Sequence, residues 1–156
     1  MFHALSRHSF IDVDLDVKGD LYVDTHHTIE DVGIVFGNAL KEALGDKNKI
    51  KRYGSFILPM DDALILSAID FGGRSYLNYD INLSVERVGE FECEMLKEFF
   101  LAVANNAEMN IHLKQISGSN NHHIIEAVFK SFAKSLREAV SIDNEIEGVL
   151  STKGLI

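Results

Sequence analysis

The chain has 156 residues, enough for one compact core or for two small ones fused together. Its net charge of −9 argues against general nucleic-acid binding, which needs clustered Lys and Arg, but local arginines could still hold a small anionic substrate. No apolar run approaches the roughly 20 residues of a membrane span. The single cysteine, Cys93, excludes an internal disulfide and fits a reducing cytoplasm, so we expect a cytoplasmic protein without a membrane partner.

The first part of the chain predicts two strands and a helix. Residues 10–17 alternate apolar and mostly acidic side chains, as a half-buried strand does, and a second strand begins at residues 21–23. From His26 onward, apolar residues recur at the spacing of an amphipathic helix of about 18 residues. We expect Gly45 to end this helix, because glycine readily adopts the backbone conformation that follows a helix.

The same two periodicities continue to the end of the chain and predict an α+β fold. We expect one domain, residues 1–156, made of two duplicated half-domains at about residues 1–90 and 91–156. Each half-domain should be a β-sheet with helices packed on one face. The further strands are predicted at residues 55–58, 63–69, 76–83 and 109–116, and the further helices at residues 92–104 and from residue 122 onward.

A His-His-x-x-Glu motif occurs twice, at an offset of 96 residues, from position 26 to position 122. Each copy begins a predicted helix, and the apolar residues that follow match at the same offset, as Ile29 matches Ile125. The likeness therefore indicates an internal repeat. The motifs consist of His26, His27 and Glu30 in the first copy and His122, His123 and Glu126 in the second.

The spacing within each motif suits metal ligation. On a helix, a histidine and a glutamate three or four residues later project from one face, whereas adjacent histidines point about 100° apart and suit two different ions. Four imidazoles and two carboxylates favour Mn, Fe, Co or Zn over Mg or Ca. The alternative is that both motifs are exposed polar residues at helix N-termini, where the helix dipole favours glutamate. Two copies at one offset favour the metal site.

These motifs resemble the signatures of the imidazoleglycerol-phosphate dehydratase family. The first copy lies in DTHHTIEDVGI and the second in GSNNHHIIEAVFK, and the resemblance covers essentially the whole chain. Further matching segments are RYG at residues 52–54, PMDDAL at 59–64, DFGGR at 70–74 and STKG at 151–154.

The resemblance implies a lyase of histidine biosynthesis that dehydrates D-erythro-imidazoleglycerol phosphate to imidazoleacetol phosphate. It also implies a duplicated α+β fold, two manganese ions and a homo-oligomer of high order whose active sites lie between subunits. By the family's pattern, one ion would take His27, His122 and Glu126, and the other His26, Glu30 and His123.

Glu98 aligns with a metal-binding histidine of the family. It is expected either to replace that histidine as a ligand or to be a solvated surface residue.

Five further residues match substrate-binding positions of the family. Arginine suits a phosphate because its planar fork donates two parallel hydrogen bonds. Each match has an alternative without a substrate. The two arginines could be surface charges, the C-terminal segment at residues 151–153 could be a frayed tail, and the histidine could simply end a helix. The matching residues are His8, Arg52, Arg74, Ser151 and Lys153.

The general acid and base are not fixed by the sequence, and Asp24, beside the first histidine pair, is a weak candidate for one of them. The chain begins one residue after a metal-binding histidine of the family and lacks the segment before it. We therefore expect an N-terminally truncated dehydratase. The alternatives are a catalytically impaired metal-binding homologue or fragment, and an unrelated dinuclear hydrolase.

Overall fold

The computed structural model describes residues 1–154 and 156. The four helices are α1 (Phe2–Ser9), α2 (His26–Leu44), α3 (Met95–Ala107) and α4 (Asn121–Val140). The six strands are β1 (Tyr53–Met60), β2 (Ala63–Asp70), β3 (Tyr76–Asp80), β4 (Arg87–Val88), β5 (Phe91–Glu92) and β6 (Asn110–Ser117).

The main sheet has four strands in the order β1-β2-β6-β3. β1, β2 and β6 are antiparallel neighbours, and β3 runs parallel to β6 at one edge. Along β2, buried and half-buried residues alternate strictly, because successive side chains of a strand point to opposite faces. Helices therefore cover one face of the sheet, and the other face is the more exposed. β4 and β5 form a separate two-stranded pair.

Four phenylalanine rings, one from each helix, join the helices above the sheet. Helix α4 packs on β1 and β2, α3 packs beside β3, α2 packs on α3, and α1 packs on α4. Phe2 of α1 contacts Phe36, Phe99 and Phe129, with ring centroids 5.7, 5.6 and 6.4 Å away. Each largely buried ring contributes roughly 1.5–3 kcal/mol to folding, so this cluster is a main source of stability for the helical layer.

The α+β prediction is confirmed, as are both helices that begin at the histidine pairs, with 19 and 20 residues. Gly45 follows the end of α2 at a φ of 51°, as predicted. The four strands predicted between residues 55 and 116 are all present. The helix predicted at residues 92–104 begins later because Phe91–Glu92 pairs as β5. Helix α1 was expected only in the alternative that places His8 near a helix end, and the division into two half-domains stays a prediction.

The strands predicted at residues 10–17 and 21–23 are wrong, because no residue of either segment lies in a strand. Their alternating pattern is real: Ile11 and Val13 are half-buried and pack against the core. A strand also needs a neighbour that accepts its backbone N–H groups, however, and none of the described strands lies beside this segment. Among the described residues, no helix is both long and apolar enough to span a membrane.

Helices α2 and α3 approach each other closely where α2 carries Gly33 and Gly37. A β-carbon at Gly33 would lie 2.8 Å from both the Ala102 β-carbon and the Phe99 carbonyl oxygen. At Gly37 it would lie 2.9 Å from the Asn106 β-carbon. The absence of side chains at these two positions therefore sets how closely α2, with the first histidine pair at its start, packs on α3.

We predict that Gly33→Ala destabilises the protein. The substitution should gain up to about 1 kcal/mol of helix propensity. However, the added methyl group would push α2 and α3 apart, because one of the atoms it would meet is a backbone carbonyl oxygen. Such overpacking lowers the free energy of unfolding by about 1–3 kcal/mol. Urea unfolding at fixed protein concentration should show a lower midpoint. The matched control is Asn38→Ala on the exposed side of α2, which should leave the midpoint unchanged or slightly raised; equal midpoints for the two variants would contradict the close packing.

Candidate functional site

A side chain before each histidine pair accepts backbone N–H groups at the start of the helix. The Oδ1 atom of Asn120, the N-cap of α4, accepts hydrogen bonds from the backbone N–H groups of His122, at 3.0 Å, and His123, at 3.3 Å. In the first copy, Oδ1 of Asp24 accepts the backbone N–H of His26 at 2.8 Å. Asp24 and Asn120 are themselves 96 residues apart, but the N-cap of α2 is Thr25, whose side chain makes no capping hydrogen bond. One carboxylate oxygen of Asp24 thus accepts a backbone N–H, and the other remains for proton transfer.

The first histidine of each pair lies beside the glutamate one turn later. Nε2 of His122 is 3.3 Å from Oε2 of Glu126, and Nε2 of His26 is 3.8 Å from Oε2 of Glu30. A divalent transition ion holds such donors at about 2.0–2.2 Å, which places neighbouring ligand atoms about 3 Å apart. Each histidine–glutamate pair therefore presents one nitrogen and one oxygen at a spacing that suits a shared ion.

The second histidine of each pair is hydrogen-bonded to an aspartate through Nδ1. The Nδ1 atom of His27 lies 2.9 Å from Oδ2 of Asp20, and Nδ1 of His123 lies 2.7 Å from Oδ1 of Asp62. Nε2 of His123 is 3.5 Å from Oδ2 of the exposed Asp61. The hydrogen bond that His27 donates to the Asp20 carboxylate raises the pKa of His27.

The Asp62 carboxylate is itself held in place by the loop before α4. Its Oδ2 atom accepts the backbone N–H groups of Ser119 at 2.6 Å and Asn120 at 3.0 Å. These two bonds, followed by the contact with His123, hold the pKa of Asp62 well below its usual range. Asp62 is therefore ionised at neutral pH.

The two rings of each pair point in different directions. The interplanar angle is 86° between His26 and His27 and 74° between His122 and His123, with centroids more than 6 Å apart. Adjacent histidines therefore suit two separate ions better than one, as the helical spacing predicts.

The glutamate of the second motif forms an ion pair with a lysine. The ammonium group of Lys130 lies 2.6 Å from Oε1 of Glu126, one helical turn further along α4. This hydrogen bond lowers the pKa of Glu126 and keeps the carboxylate ionised. Nε2 of His122 faces the other oxygen of the same carboxylate.

The predicted ligands of each ion do not gather within one chain. Among residues 1–154 and 156, no three His, Cys, Asp or Glu side chains are arranged to hold a metal ion. Glu98 lies half-buried on α3, where it lines a cavity of about 760 Å³ with Glu94 and Lys97, and the lining of that cavity includes neither histidine pair. Its role as a ligand stays a prediction.

Four of the predicted substrate-binding residues line one open cavity of about 770 Å³: Arg52, Arg74, Ser151 and Lys153. Glu145 and Glu147 also line it. The fifth residue, His8, is in the last turn of α1 and does not line this cavity; its Nδ1 atom is 2.9 Å from the Ala4 carbonyl oxygen.

Arg52 is held rigidly at the wall of this cavity. Its Nε and Nη2 atoms donate to the two carboxylate oxygens of Asp70 at 2.6 and 3.1 Å, and Nη1 donates to the Leu150 carbonyl at 2.8 Å. The contact with Asp70 raises the pKa of Arg52. Two further N–H groups of the guanidinium remain for an anion.

The cavity and the second histidine pair lie at opposite ends of the sheet. Arg52 immediately precedes β1, and Tyr53 pairs with Asp70; at the other end of β1, Met60 pairs with Ala63 beside the turn that carries Asp62. Eight residues of extended chain span roughly 26 Å. A small substrate cannot contact both places in one chain.

The sequence prediction missed the partners of the candidate residues. Asp20 was assigned no role, and Asp62 stood only in a matching segment, 61 positions before His123. Lys130 was the one partner with a local signal, because residues four apart on a helix are neighbours. Asp70 also lay in a matching segment, without an assigned role.

The family model for imidazoleglycerol-phosphate dehydratase matches residues 1–136. Curated relatives with that name include those of Lachnoclostridium phytofermentans, 56% identical, and Acetivibrio thermocellus, 52% identical; each alignment covers 100% of this chain and 80% of the relative.

Two crystal structures of imidazoleglycerol-phosphate dehydratases are also similar. The one from Staphylococcus aureus has a TM-score of 0.86 and 39% identity and covers 91% of this chain and 80% of that chain. The one from Pyrococcus furiosus, in complex with (S)-C348, has a TM-score of 0.82 and 37% identity and covers 99% and 83%. The chain therefore belongs to the imidazoleglycerol-phosphate dehydratase family, the hydro-lyases of histidine biosynthesis.

Proposed function

We propose that this chain dehydrates D-erythro-imidazoleglycerol phosphate to imidazoleacetol phosphate at a centre of two divalent metal ions, with manganese as the preferred metal. The observation that carries the proposal is the pair of equivalent helix starts. At each one a histidine nitrogen and a glutamate oxygen lie within 4 Å, beside a second histidine that points elsewhere. Family membership supplies the substrate.

The ligand sets proposed for the two ions combine both motifs. One ion takes His27, His122 and Glu126, and the other takes His26, Glu30 and His123. Imidazole nitrogen mixed with carboxylate oxygen favours manganese, iron, cobalt or zinc over magnesium. Glu98 is a further candidate ligand, because it is a half-buried carboxylate facing a cavity.

The proposed active site combines residues from different chains of a homo-oligomer. The absence of a three-residue metal cluster among the described residues supports this arrangement, because each motif alone provides too few donors. The separation of roughly 26 Å along β1 supports it too, since the arginine cavity of one chain is out of reach of its own second histidine pair. The substrate phosphate would then be bound by Arg52, Arg74 and Lys153 of another chain.

The chemistry divides between the two groups of residues. When bound, the metal ions supply Lewis-acid stabilisation of the negative charge that develops on the imidazole ring. The arginines and Lys153 bind and orient the phosphate, and Ser151 adds a hydroxyl donor. His8 is proposed to contact the substrate, and the free oxygen of Asp24 is a weak candidate for proton transfer. The one cysteine, buried and unpaired, is compatible with a cytoplasmic location.

We predict that His123→Ala lowers the manganese content of the purified protein, because one ion loses an imidazole ligand. Metal content per chain should be measured by elemental analysis after dialysis, together with turnover of imidazoleglycerol phosphate. The matched control is His112→Ala, since His112 is an exposed histidine on β6 that contacts Tyr76. Equal manganese content in the two variants would contradict the ligand assignment.

A second prediction tests whether the active site is shared between chains. Arg74→Ala should retain manganese and raise KM, because it removes only a phosphate contact. When the Arg74→Ala and His123→Ala chains are co-expressed, mixed oligomers should regain activity that neither variant has at low substrate concentration. Some sites then combine an intact Arg74 with an intact His123 from different chains. Co-expressed oligomers no more active than the sum of the two separate variants would contradict the shared site.

A further inference from the structure

The same contact supports the second histidine of both pairs, although it comes from unrelated parts of the chain. Asp20 belongs to the loop before α2, whereas Asp62 belongs to the turn between β1 and β2. Both carboxylates meet the Nδ1 atom of a histidine, at 2.9 and 2.7 Å. The internal repeat does not explain this agreement, because Asp20 and Asp62 are not at equivalent positions.

An ionised carboxylate fixes the tautomer of the imidazole that it contacts. It only accepts hydrogen bonds, so the proton of a neutral histidine must be on the nitrogen that faces it. With the proton on Nδ1, the lone pair is on Nε2, the atom that is then free to bind an ion. The distance from Nε2 of His123 to Oδ2 of Asp61 is 3.5 Å, which is longer than a good hydrogen bond. The Nδ1 contact with Asp62 is therefore the shorter of the two carboxylate contacts of this ring.

Both aspartates are placed by their surroundings rather than by the histidines alone. Asp62 is held through Oδ2 by the backbone N–H groups of Ser119 and Asn120, which leaves Oδ1 for His123. The loop that carries Asp20 reaches the first turn of α2 because residue 19 is glycine. A β-carbon there would lie 1.9 Å from Oγ1 of Thr28.

We propose that Asp20 and Asp62 are positioning residues, which keep His27 and His123 protonated on Nδ1 and so present Nε2 to the ions. The inference rests on the proposed function, because it concerns two of the proposed metal ligands. Neither aspartate reaches the substrate; each acts through its histidine.

The experiment uses Asp62→Asn in the full chain. The variant has nearly the same shape and retains an oxygen for the Ser119 and Asn120 N–H groups. Its amide nitrogen then donates to Nδ1 of His123, which moves the ring proton to Nε2. Two quantities should be measured: the tautomer of His123 by nitrogen-15 NMR of the metal-free protein at alkaline pH, and Mn²⁺ affinity by calorimetry. We expect the Nδ1–H tautomer in the unmodified chain, the Nε2–H tautomer in the variant, and about 10- to 100-fold weaker Mn²⁺ binding.

The matched control is Asp80→Asn, which removes the same charge from an exposed pair with Lys114 and touches no histidine. It should change neither the tautomer nor the affinity. The inference is overturned if the unmodified chain has the proton on Nε2 of His123. It is also overturned if Asp62→Asn binds Mn²⁺ as tightly as the control.

His123→Ala separates this inference from the proposed function. If His123→Ala loses Mn²⁺ affinity while Asp62→Asn keeps both affinity and tautomer, only the positioning role is wrong. If His123→Ala binds Mn²⁺ normally, the proposed ligand set is wrong, and the positioning role fails with it. Asp20→Asn, with His27 as the reporter, repeats the test in the first motif.

Discussion

Hydrogen bonds at the starts of two helices determine where the proposed metal-binding side chains point. The first N–H groups of a helix have no partner within it, and Asn120 satisfies those of His122 and His123. The cap fixes the first turn of α4, and the first turn places His122 beside Glu126 on one face. Asp24, which precedes the N-cap of α2, accepts the N–H of His26. The donor geometry of both motifs therefore depends on hydrogen bonds made before any ion is present.

The hairpin of β1 and β2 connects the two functional regions of the chain. Its turn carries Asp62, which contacts His123, and at its open end Arg52, just before β1, donates to the side chain of Asp70. Helix α4 packs on both strands, so the histidine pair and the hairpin belong to one rigid unit. The distance between the arginine cavity and the histidines is therefore set by strand length, and local loop movement cannot close it.

Local periodicity predicted most of the fold, and contacts between distant residues explain what it missed. The three- and four-residue spacing of apolar residues was sufficient for α2 and α4, because one face of each helix is buried. The alternation at residues 10–17 was equally clear, yet alternation reports burial and not strand pairing. The candidate metal-binding motifs could be recognised in the sequence because their residues are at most four positions apart. Asp62 was not assigned a role, because only folding brings it 2.7 Å from His123.

In the proposed enzyme, the separation of the candidate metal ligands from the arginine cavity would require an assembly of chains. Each motif alone offers an ion only a few ligands, which gives weak binding with open coordination positions. If the remaining ligands come from another chain, the complete metal site exists only in the associated form. Metal binding then stabilises the association, and association strengthens metal binding. A chain on its own would bind metal weakly and could not hold the phosphate near it. Under the proposed function, the same constraint that keeps Arg52 away from His123 would link catalysis to association.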